Sequence, residues 1–100
     1  MSLPVEFLAG ADADLQGIFN RMEDFREGFG VEFIIALDAY LARIGVFPEI
    51  APLYFETVRR QVMQGFTYGI FYKPYPTRII LIAILDLRQD PENIRRRLQH

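Results

Sequence analysis

The chain has no cysteine, and in 100 residues it carries one histidine (His100), one serine (Ser2) and one lysine (Lys73). Without cysteine there is no disulfide framework, no thiolate metal site and no thiol nucleophile. That absence fits a reducing compartment, and a cytoplasmic location is expected. His100 is the last residue, a place that suits a frayed end better than a general base or a ligand. Hydrolytic triads and zinc sites are thereby excluded, and neither a glycine-rich phosphate loop nor a metal-spaced His/Asp/Glu group occurs. No cofactor and no metal are expected. Long apolar runs are missing too. The longest aliphatic stretch is Ile79–Leu85, far short of the roughly 20 residues that span a bilayer. The opening MSLPVEFLAGADAD has no basic segment and is interrupted by Glu6, so no signal peptide is expected.

What is present is ordinary globular material: 51% hydrophobic and 24% charged residues, which supports a single domain over 1–100 with one core. The net charge of −2 hides an asymmetry. Residues 1–50 carry nine acids against Arg21, Arg26 and Arg43, a net −6, whereas residues 51–100 carry four acids against eight bases, a net +4. The second half would attract an anionic partner, while the first would weaken long-range attraction to nucleic acid. Two ordinary solvated surfaces are the competing reading.

Periodicity outlines the elements. Val5–Leu8 is short and β-prone, with Gly10 as its stop. A helix starts at Ala11 or Asp12, with Asp12 and Asp14 as caps or dipole partners at its positive end. Leu15, Ile18, Phe19, Met22 and Phe25 form its apolar face. Gly28-Phe29-Gly30 breaks the pattern, and a second helix from about Val31 turns Phe33, Ile34, Leu37, Tyr40, Leu41 and Ile44 inward. Pro48–Pro52 is a loop. The period then becomes two through Val58–Met63 and Phe66–Tyr72, and Ile79–Leu85 is apolar on both faces. Lys73-Pro-Tyr-Pro-Thr77 is the hairpin turn, and Asp90-Pro91 opens a final helix, Glu92 to about Leu98. The order β-α-α-β-β-β-α predicts an α+β fold: an N-terminal strand and a helical hairpin packed on an antiparallel sheet.

The remaining chemistry is basic and phenolic. Arg59, Arg60, Lys73, Arg78 and Arg88, with Tyr54, Tyr68 and Tyr72, could clamp phosphates and stack bases, or offset charge in phosphoryl transfer. Arg95 and Arg96 on the last helix join Arg78 and Tyr68 as binding candidates. Alternatively, these side chains cover the sheet rim with their alkyl stems and pair with surface carboxylates.

VRRQVMQGFTYGIFYKPYPTRIILIAILDLRQDPENIRRRL, residues 58–98, resembles the C-terminal half of the RelE/ParE superfamily of bacterial toxins, and VEFLAGADADLQGIFNRM resembles its opening strand and first helix. The resemblance implies the toxin of a type II toxin–antitoxin, or plasmid stabilisation, module. A cognate antitoxin would neutralise it by wrapping across Ile79–Leu85 or the helix grooves, in a heterotetramer or around a homodimer. RelE-like members cleave messenger RNA in the ribosome, and ParE-like members poison DNA gyrase. In the first case Arg59, Arg60 and Arg88 would stabilise the scissile phosphate, with Lys73 or Tyr72 assisting proton transfer. Asp86 stands where the family often has His, Leu87 where it has a small residue, Gln89 where a second Arg is usual, and Thr67 where proline precedes the Tyr68 position. Together with the acidic charge and single lysine, these departures favour ParE-like target binding over a metal-independent endoribonuclease. An inactive interaction module that keeps the fold is the further alternative.

Overall fold

A computed structural model of the chain describes residues 1–99; His100 lies outside the described residues. The aliphatic run becomes the strand on which both layers meet. The elements are β1 (Val5–Phe7), α1 (Ala9–Phe25), α2 (Phe29–Val46), β2 (Leu53–Phe55), β3 (Val58–Val62), β4 (Tyr68–Tyr75), β5 (Arg78–Asp86) and α3 (Pro91–Leu98). This is the α+β order expected from the sequence, with one further short strand, β2, following the Pro48–Pro52 loop. The sheet runs β1-β5-β4-β3-β2. β2 to β5 form an antiparallel meander, and β1 joins β5 in parallel, which makes the sheet mixed.

The helical hairpin α1–α2 covers one face. Ile18, Met22, Phe33, Leu37 and Ile44 pack there on Tyr68, Ile70, Tyr72, Ile79, Leu81 and Ile84. Helix α3 covers part of the other face, where Ile94 and Leu98 meet Val58, Phe71, Ile82, Ala83 and Leu85. β5 is therefore packed on both sides, by the hairpin on one and in part by α3 on the other, which explains its lack of alternation.

Strict alternation along β5 does not hold. Phe71 pairs with Ala83 while Tyr72 pairs with Leu81, so Ile82 is an extra, bulged residue. A bulge reverses the facing of everything beyond it. Ile79 and Leu81 face the hairpin before it, and Ile84 after it. Asp86, paired across the sheet with Tyr68, thus falls on the hairpin side at the end of the strand.

Several local readings shift. α1 begins at Ala9 with Leu8 as an N-cap that makes no side-chain bond, so Gly10 lies inside the helix and not at a strand end. Phe25 is exposed, its ring 6.0 Å from Phe29, and not part of the inner face. The turn between α1 and α2 is tight because Gly28 adopts φ 87. A Cβ at Gly30 would stand 2.7 Å from the Phe19 ring. Lys73, Pro74 and Tyr75 continue β4 and leave only Pro76-Thr77 as the turn. Pro74 is tolerated because β3 pairs with β4 only as far as Tyr72, so no neighbour needs its missing N–H. Asp90 caps α3, accepting from Glu92 N at 2.9 Å ahead of Pro91.

Candidate functional site

The candidate residues fall on different faces. Arg59 pairs with Tyr72 and lies on the hairpin side. Its guanidinium donates to Ala51 O at 2.7 Å and Glu49 O at 3.4 Å, and so ties down the loop after α2. Tyr72 is fully buried in the core, and its hydroxyl donates to Pro48 O at 2.9 Å. Burial pushes the phenol above its ordinary value. Tyr72, a candidate for assisting proton transfer, is thus enclosed, with its hydroxyl committed to the backbone. Tyr68 is also buried. Its ring packs edge-on against Phe33 at 5.5 Å, so it offers its hydroxyl and not a stacking face.

Arg60 alternates to the opposite face, opposite Phe71, with its guanidinium 4.8 Å from the Tyr54 ring. Arg95 and Arg96 are exposed on α3, and Arg95 pairs with Glu92 one turn away. Among the described residues Arg96 makes no ion pair. Lys73 and Arg78 flank the Tyr75 ring at 5.4 and 5.7 Å, and Arg78 also pairs with Glu6 at 3.0 Å. Beyond the end of α3, Lys73, Tyr75 and Arg78 rim a groove of about 490 Å³ floored by Phe55, Val58, Ile80, Ile82 and Leu98. Arg60, Lys73, Arg78, Arg95 and Arg96 all lie on this side of the sheet, Arg60 beside Tyr54 and Lys73 and Arg78 beside Tyr75. Arg59 and Tyr72 are absent from that side.

Arg88 is at the other end of β5. Its Nη2 donates to Asp86 Oδ2 at 2.7 Å, its Nε to Oδ1 at 3.1 Å and its backbone N to the same Oδ1 at 2.9 Å. The side-chain bonds to Arg88 hold the Asp86 carboxyl below its ordinary range and raise Arg88 in return. Arg88 is thus already engaged by an anion from its own strand.

Two participants were missed in the sequence. Arg21, from α1, donates to Tyr68 Oη at 3.4 Å. With Asp14, Tyr68, Asp86 and Gln89 it lines a recess of about 210 Å³. The available signal was Gly17 one turn earlier, since a Cβ there would lie 3.2 Å from Arg21 Nη1. Asp14 is the second. It does not cap its helix but accepts from Ile84 N at 3.1 Å and pairs with both terminal nitrogens of Arg97 at 2.9 Å. β1 accompanies β5 only to Leu81. Asp14 therefore satisfies a strand N–H that has no neighbouring strand.

No family model and no curated protein matches the sequence. A solved structure does: a chain of the chromosomal ParDE TA system from P. aeruginosa matches 87% of this chain and 98% of that one, with a TM-score of 0.75 at 13% identity. The two share one fold. Among the described residues no helix is long and apolar enough to cross a membrane.

Proposed function

We propose that this chain is the toxin of a type II toxin–antitoxin module, held inactive by a cognate antitoxin in the cytoplasm and inhibiting bacterial growth when released. The observation that carries the reading is the ParDE-like fold, which extends over 98% of the matched chain, combined with the sequence resemblance over residues 58–98. Exposed apolar side chains, among them Phe25, Val31, Ile35 and Phe47, are available to an antitoxin segment.

Within this reading, binding to a target such as DNA gyrase is favoured over ribosome-dependent cleavage of messenger RNA. Metal-free phosphoryl transfer needs several cations and a proton carrier at one phosphate. Here Tyr72 is enclosed, Arg59 serves the backbone, and Arg88 is paired with Asp86. Arg60 and Lys73 remain on the α3 face, which suits a binding surface for an anionic or acidic target.

Induced expression in a bacterial host, with and without the neighbouring gene, tests the proposal. Growth arrest relieved by the neighbour is expected, with supercoiling changed and messenger RNA uncut. Unimpaired growth while soluble protein accumulates would overturn the toxin reading and leave an interaction module.

A further inference from the structure

Helix α2 is apolar on more than the side it buries. Phe33, Leu37, Leu41 and Ile44 are buried on its inner side, while Val31, Ile35, Ala39, Ala42 and Val46 are exposed on the other. These five recur at steps of four, four, three and four residues, so they form one stripe about 22 Å long and about 80° wide. Ile35 is 66% exposed, Val31 50% and Val46 47%. The companion helix behaves differently: α1 turns Asp12, Gln16, Asn20 and Asp24 to solvent. A helix that is apolar around most of its circumference is one covered from more than one side, and this chain supplies the cover for only one of them.

The charges of α2 indicate what the second cover is. They are Glu32, Asp38 and Arg43, and Glu32 is paired with Arg26. Among the described residues Asp38 and Arg43 make no ion pair within the chain. At about 100° per residue they flank the stripe on opposite sides, five residues apart. At that spacing two parallel helices, packed stripe to stripe about a twofold axis, set each Asp38 beside Arg43 of the other copy. The pairing then occurs twice. An antiparallel pair would instead set Asp38 against Asp38 and Arg43 against Arg43. Ala39 and Ala42, at the middle of the stripe, are small enough for the two axes to approach closely.

We infer that the outer stripe of α2 is a self-association surface, on which a second copy of this chain packs its own α2 in parallel. Ile35, Ala39, Ala42 and Val46 each meet their counterpart, and Asp38 and Arg43 pair across both flanks. The seam is short, so the pair is weak, with a dissociation constant of about 10–100 μM. Helix α3, on the far side of the sheet, takes no part. The inference does not rest on the toxin reading, because it concerns the purified chain alone.

Analytical ultracentrifugation of the full chain from about 5 to about 500 μM is the test, and a reversible monomer–dimer equilibrium is expected. Ile35→Glu, at an exposed position, should abolish the dimer and leave the unfolding midpoint nearly unchanged. Asp38→Arg alone and Arg43→Asp alone should each weaken the dimer about tenfold, and the two together should restore the parent's affinity. An antiparallel pair would show no such rescue. The chain has no cysteine, so Ala42→Cys introduces a sole thiol, and mild oxidation should link two copies through it. A chain that stays monomeric at about 500 μM overturns the inference. So does a dimer that survives Ile35→Glu, is not rescued by the double exchange, or fails to cross-link through Ala42→Cys. If Ile35→Glu does not fold, the rescue and the cross-link decide. A monomer whose stripe is covered only when the neighbouring gene's product is added would assign the stripe to that partner and overturn self-association.

Discussion

Several single residues in this chain tie segments distant in sequence together. Tyr72 shows it best: a ring in the core and a hydroxyl bonded to Pro48 O. Tyr72→Phe should lower stability by about 1 kcal/mol, the net value of one buried hydrogen bond. It should leave growth inhibition per folded molecule unchanged; urea unfolding and an expression assay check the two halves. Asp14→Ala should cost more, about 1–3 kcal/mol, because it leaves Ile84 N without its acceptor. Faster hydrogen exchange at Ile84 is the specific sign to seek. Neither role could be read from the chain alone. Asp14 sits 70 residues from its strand partner, and nothing in a helix-start pattern signals an unpaired N–H on a distant strand.

The elements themselves were largely legible, because hydrophobic period and turn residues mark them independently of tertiary context. Both hairpin helices, the strands β3 to β5 and the Asp90-Pro91 start of α3 follow from that patterning. What the pattern missed was set by neighbours. β2 has three residues and exists because β3 supplies a partner. The facing of Asp86 depends on one bulged residue, Ile82, whose identity as an isoleucine says nothing of a bulge. The turn between α1 and α2 shows how an element boundary is fixed. Glu23 accepts from Gly28 N at 3.1 Å and Gly30 N at 2.7 Å. The Gly28 bond is the main reason its carboxyl titrates below the ordinary 4.5. Because the folded value is depressed, the stabilisation is complete above about pH 4.5 and is lost as pH falls through that lowered value. Acid unfolding of Glu23→Gln should therefore show a shallower pH dependence over that range than the parent. Gly30→Ala should cost about 1–3 kcal/mol at any pH, since the added methyl meets the Phe19 ring and the Glu23 carboxylate at 2.7 and 2.9 Å. Thermal unfolding at neutral pH and in acid separates the two effects.

Across the whole molecule, the charge asymmetry between halves of the sequence becomes an asymmetry between layers. Residues 1–50 supply β1 and the hairpin, with a net −6, and residues 51–100 supply the meander and α3, with a net +4. The fold therefore places an acidic helical layer against a sheet whose other side presents Arg60, Lys73, Arg95 and Arg96. Exposed charges act within about 10 Å at 0.1 M salt, so the two sides behave as separate surfaces and the net −2 describes neither. The purified chain should be retarded on both anion- and cation-exchange resins at neutral pH and about 0.1 M salt, although its net charge predicts the anion exchanger alone. Arg95→Glu with Arg96→Glu should abolish retention on the cation exchanger, strengthen it on the anion exchanger and leave the unfolding midpoint nearly unchanged, because both side chains are exposed. Retention that persists in the double variant would move the basic surface away from α3, to the Arg88 end of β5. Joint loss of retention and of growth inhibition would identify the α3 face as the side that meets the target.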